Sequence, residues 1–275
     1  MAAVLVAEFV VAVAVIRAPS LPAGPLPPPA PVSAAPALGN QRDVTLISLG
    51  GAATDPLLRR VSTELEGAIE AVESFWGTDW PDDILLVATG TDAEFVQQAA
   101  RVTDTAHIAA VTVADDVDSA SGSVTGQRIV FAPGAVSMTP AALRIVLTHE
   151  LFHYAARGET ALDAPRWLTE GVADFVARPF VPGQGGSPGS LPQALPTDAD
   201  FAATGPELSL AYDRAWWFAR FVADRYGVAA LRALYVRAAG RGHTDVPTAL
   251  REVLGASEAQ VLVGWREWLT RNGLA

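Results

Sequence analysis

The stretch "LTHELFHYA", Leu147 to Ala155, decides how this chain is read. It sets His149, Glu150 and His153 in the spacing H-E-x-x-H, in a chain with only 4 histidines. On a helix, residues four apart lie one above the other on the same face, so both imidazoles aim at one point. Neutral imidazole is a good ligand for Zn2+, and a catalytic zinc usually has three protein ligands and one position open to water. Such an ion lowers the pKa of water to roughly 7, so a neighbouring carboxylate suffices as base; Glu150 is placed for that role. The alternative is an amphipathic helix whose histidines are only hydrogen-bonded. That reading leaves unexplained why both histidines share a face with the apolar residues Leu143, Val146, Leu147, Leu151 and Tyr154.

The ends of this helix are written locally. Thr139 is placed as N-cap, with Pro140 at the first helical position, where a missing N–H costs nothing. Gly158 is suited to the residue after the C-cap.

A third metal ligand is needed. Cysteine is absent, and the remaining histidines are His107 and His243. Glu170 is the better candidate. It lies on a second helix, "RWLTEGVADFVA", bounded by Asp163-Ala164-Pro165 and Pro179, far enough past His153 for the chain to turn and pack back. Gly171 beside it would let these two helices approach closely. Asp174, one turn further on the same face, is placed to accept the second N–H of a ligand histidine, most readily His149. His107 reads as a structural or surface histidine. His243, in "AGRGHTDVP", reads as loop structure, with a role at the site as the alternative.

H-E-x-x-H followed by E-x-x-x-D on the next helix resembles the gluzincin (MA clan) zinc metallopeptidases, which include thermolysin-like and M1 aminopeptidase-like enzymes. "LTHELFHYA … PRWLTEGVADFVA" is especially similar to small bacterial M1-like peptidase domains. The resemblance spans most of residues 43–271, but only the two metal helices are specific. It implies a zincin-like fold, with His149, His153 and Glu170 as Zn2+ ligands, Glu150 as general base and proton shuttle, and Asp174 orienting a ligand histidine. It also implies a Tyr or His that steadies the oxyanion, for which Tyr212 is the candidate. "QRIVFAP" looks like the edge strand that pairs with substrate backbone in such folds, and "AYDRAWWFARFVADRYG" like the helix that follows. One departure stands out. The aminopeptidases carry G-x-M-E-N upstream, whereas the nearest stretch here, "PGAVSMTP", has no Glu. That favours an endopeptidase acting on a peptide or protein substrate. The competing expectation is a non-catalytic, peptidase-like extracellular binding or sensor domain.

Around these helices the expected class is α+β. The front half bears a mixed sheet with an edge strand, and the back half is mostly helical. Strands are expected in "DVTLISL", "DDILLVAT", "AAVTVAD" and "QRIVFAP", with "DSASGSVTG" as a loop. In "PLLRRVSTELEGAIEAVESFWG", Leu57, Val61, Leu65, Ile69, Val72 and Phe75 form one helical stripe. "DAEFVQQAARV" is a short helix that Asp92 can cap. The segment 181–207 is rich in Gly and Pro and reads as a long surface loop, of a length that usually serves a site. Four helices follow it, with Trp216 and Trp217 in the core.

Composition sets outer bounds. Half of the 275 residues are apolar, enough for a large core, and the net charge of −11 with no basic run argues against nucleic acid. Without cysteine there is no disulfide and no thiolate zinc site. Residues 1–17 read as a signal-like or membrane-anchor segment and 18–41 as a polyproline-II spacer with 8 prolines. Residues 42–275 then form the zincin-like domain. The expectation is an exported or membrane-tethered protein.

Overall fold

Short β-branched runs bounded by Gly, Pro and Asp make strands here, and longer runs with helical spacing make helices. The computed structural model describes residues 42–99, 108–180 and 191–274. The N-terminal segment, the proline-rich spacer, His107 and residues 181–190 lie outside them. None of the described helices is long and apolar enough to cross a membrane. The class is α+β: a small mixed sheet in the first half, then a mostly helical second half.

The described chain divides into two compact units. One gathers residues up to Glu70, Asp79–Val117 and Val124–Tyr154. Its sheet contains β1 (Asp43–Ser48), β2 (Asp83–Ala88), β3 (Ala110–Val113) and β6 (Arg128–Phe131), in the order β1-β2-β6-β3. β1, β2 and β6 run parallel, and β3 is antiparallel to β6. The stretch "QRIVFAP" is therefore a central strand and not the expected edge. Ile129, Val130 and Phe131 are fully buried, as a strand covered on both faces must be. The antiparallel edge is β3. β4 (Asp116–Val117) and β5 (Val124–Thr125) pair as a two-stranded ribbon.

Helix α1 (Asp55–Trp76) joins β1 to β2, and its six stripe residues, Leu57 to Phe75, are all buried. Helix α2 (Asp92–Gln98) is capped by Thr91 rather than Asp92. The Thr91 hydroxyl accepts from the Glu94 N–H while the Glu94 carboxylate accepts from Thr91 N–H, satisfying two helix-end donors at once. Phe95 of α2 packs with Val87, Val111, Val113 and Val130 on one face of the sheet.

Helix α3 (Pro140–Ala156) begins as its sequence implies: Thr139 Oγ1 accepts from the Ala142 N–H at 3.2 Å. Its end differs. Gly158 is not among the glycines with positive φ, and the Ala156 carbonyl is instead taken by the Thr160 N–H and hydroxyl, at 3.0 and 2.8 Å. From Val146 to Ala156 every residue of α3 is buried. The Tyr154 hydroxyl donates to the Asp83 carbonyl at 2.7 Å, fixing the helix to β2.

The second unit comprises Ala71–Thr78, Asp118–Ser123 and the chain from Ala155. It holds α4 (Arg166–Ala177), α5 (Pro206–Tyr226), α6 (Val228–Ala239), the short α7 (Val246–Ala249) running into a π-turn at Leu250–Leu254, and α8 (Glu258–Arg271). Residues 191–207 of the expected loop carry a 3-10 turn, Asp198–Ala202, whose Asp198 carboxylate accepts from the Trp167 N–H at 3.0 Å. Gly171 does serve a close approach, but to α5: a Cβ there would stand 2.5 Å from the Ala215 carbonyl oxygen. Trp216 and Trp217 are core, and Phe218 meets Trp167 and Trp265 edge-on.

Candidate metal centre

A helix buried on all sides ordinarily has no place for ionisable groups, because an unpaired buried charge costs several kcal/mol. Yet in α3 His149 and Glu150 are 0 % exposed and His153 is 7 % exposed. In α4 Glu170 is 0 % exposed and Asp174 is 6 % exposed. Such groups persist when they partner one another or an ion.

His149, His153 and Glu170 each offer one ligand atom, and these atoms lie within 4.8 Å of one another. The two Nε2 atoms stand 3.1 Å apart. Two nitrogens on one tetrahedral zinc at its usual bond length would stand about 3.3 Å apart, so the pair fits a shared ion closely. Two imidazoles and one carboxylate, all buried, are a donor set suited to a first-row divalent metal. The three residues form a group that could hold a metal ion.

Glu150 follows His149 on the same helix. Its Oε2 accepts from the Thr112 hydroxyl of β3 at 2.7 Å, and its main-chain carbonyl lies 2.8 Å from the same hydroxyl. Asp174 Oδ2 accepts from Arg178 at 3.0 Å, and Arg178 also donates to Asp213 at 2.9 Å, making a carboxylate–guanidinium–carboxylate bridge from α4 to α5.

Tyr212, on α5, is 8 % exposed and packs edge-on against Phe201. Burial, and next the negative charge of Glu170, push its phenol well above the ordinary tyrosine value, against the pull of Arg166. It therefore keeps its proton at any physiological pH. Arg166 links the two groups: its Nη2 donates to the Tyr212 hydroxyl at 3.3 Å and its Nε lies 3.7 Å from Glu170 Oε1. Burial opposes the charge of Arg166, but Tyr212 and Glu170 outweigh it and raise the guanidinium pKa. His243 sits in the loop after α6, with Nε2 3.3 Å from Asp163 Oδ1 and Nδ1 3.0 Å from the Thr244 carbonyl.

Two residues were not singled out by the sequence reading. Arg166 had a legible signal, being one helical turn before Glu170. Thr112 had a weaker one, as the sole polar residue of the β3 run "AVTV".

No protein-family model matches the sequence, and no curated protein matches it significantly. The assignment of chemistry therefore stands on the site alone.

Proposed function

We propose that the protein is a zinc-dependent peptidase of gluzincin type that hydrolyses internal bonds of a peptide or protein substrate. One observation carries the reading: His149, His153 and Glu170 bring their ligand atoms within 4.8 Å of one another, with Glu150 directly after the first histidine.

A zinc ion in this group would polarise the substrate carbonyl and make water nucleophilic near neutral pH. His149 and His153 would hold it as neutral imidazoles and Glu170 as a carboxylate. Glu150 takes the proton of the attacking water on its carboxylate and passes it to the leaving amine nitrogen. Tyr212 donates its O–H to the carbonyl oxygen as that atom gains negative charge. Asp174 orients a ligand histidine, and Arg178 holds Asp174 in turn.

The test separates ligand from base. Elemental analysis of wild-type protein should return one zinc per chain. Glu170→Ala should lose the metal and cleavage together. Glu150→Gln should keep the zinc and lose about 10²-fold or more in kcat. Wild-type protein that takes up no metal dismisses the proposal. Zinc-loaded wild type with no peptide cleavage points instead to a binding module.

A further inference from the structure

β3 is the antiparallel edge of the sheet, and its side chains alternate. Val111 and Val113 belong to the apolar cluster around Phe95. Thr112 faces the other way, is 4 % exposed, and sets its one hydroxyl 2.7 Å from Glu150 Oε2 and 2.8 Å from the Glu150 carbonyl oxygen.

A hydroxyl has one proton to donate and lone pairs that accept. It cannot serve two acceptors fully at once. Against a charged carboxylate the bond to Oε2 is the stronger, because it is charge-assisted. A threonine kept only to satisfy its own hydroxyl would need the carbonyl alone.

We propose that Thr112 is a positioning residue for Glu150, its hydroxyl fixing the rotamer of that carboxyl from the edge strand. The inference rests on the peptidase reading of the site. As Glu150 takes a proton from the attacking water and gives it to the leaving amine, Thr112 holds one carboxyl rotamer. The threonine keeps its own proton on Oγ1, so it gains and loses nothing over the cycle.

The experiment has a metal-free arm and a loaded arm. In the metal-free chain, denaturation midpoints are measured for wild type, Thr112→Val, Glu150→Ala and the double variant. Thr112→Val should shift the midpoint clearly less in the Glu150→Ala background than in wild type. Equal shifts in the two backgrounds overturn the proposal. In the zinc-loaded protein, the probe is an internally quenched peptide that mass spectrometry shows wild type to cleave. Thr112→Val should keep its zinc and its KM and lose about 10- to 100-fold in kcat. Thr112→Ser, which keeps the hydroxyl, should stay within about threefold of wild type. Thr112→Val with unchanged kcat overturns the inference. So does a Thr112→Ser loss of about tenfold, which decides the matter even where Thr112→Val does not fold. A zinc-free or inactive wild type sinks the peptidase reading and this inference together. An active wild type without coupling between positions 112 and 150 sinks this inference alone.

Discussion

Arg166 and Tyr212 show how much a single contact adds to a motif. The phenol is held protonated by burial and by the charge of Glu170, and it accepts a hydrogen bond from a cation. A hydroxyl polarised in this way is a better donor to a developing oxyanion. Tyr212→Phe should therefore keep its zinc and lose about 10²- to 10³-fold in kcat with little change in KM. His243→Ala, whose ring is engaged by Asp163 and the Thr244 carbonyl, should leave kcat alone. Steady-state kinetics on the two variants decides between them; the reverse pattern would transfer the oxyanion role to His243. The histidine pair of the candidate site was legible in the sequence because two constraints coincide there: a spacing of four on one helix and a scarcity of histidine. Thr112 was not legible, because a lone threonine in a strand carries no mark of which helix its hydroxyl will meet.

Helices and strands were legible in proportion to their local signals. The stripe of α1, the Thr139–Pro140 start of α3 and the Pro-bounded α4 each rest on neighbours in sequence, and each forms as expected. The expectations that needed correction concern choices between close neighbours or distant ones. Thr91 displaces Asp92 as cap because only a residue three before Glu94 completes the reciprocal box. Gly171 was expected to ease a close approach, and its partner is α5, where the Ala215 backbone leaves no room for a Cβ. Gly171→Ala should accordingly destabilise the fold by about 1–3 kcal/mol, since backbone cannot give way as a flexible side chain can. Urea unfolding of the metal-free variant checks this. An unchanged midpoint would mean that α4 and α5 can move apart freely.

Global stability should respond to zinc and to pH. Zinc at about 1,000 times its dissociation constant should add about 4 kcal/mol, or about 10 °C in Tm, with the gain reversed by a chelator and absent in Glu170→Ala. A Tm indifferent to zinc would contradict the metal assignment. Tyr235 supplies a pH dependence. Burial pushes its phenol up to about 12, against the hydrogen bond it shares with Thr160 at 2.8 Å. In the unfolded chain it titrates near 10. Its contribution is thus complete below pH 10 and is lost as pH rises toward 12, a change of about 3 kcal/mol. Denaturation midpoints at pH 9 and 11.5 should fall further in wild type than in Tyr235→Phe; parallel falls would show that the phenol is not the cause.

The sequence by itself determined the α+β class, the helices that bear His149, His153 and Glu170, and the place of Glu150 beside the first histidine. Each of these follows from interactions within a few residues: helical spacing, caps and the alternation of apolar side chains. Only the tertiary structure decided that "QRIVFAP" is a central strand, that β3 is the edge, and that Thr112 and Arg166 attend the site. Strand order and side-chain partnership depend on pairings between residues tens of positions apart, and no local preference encodes which of several equally apolar strands lies outermost.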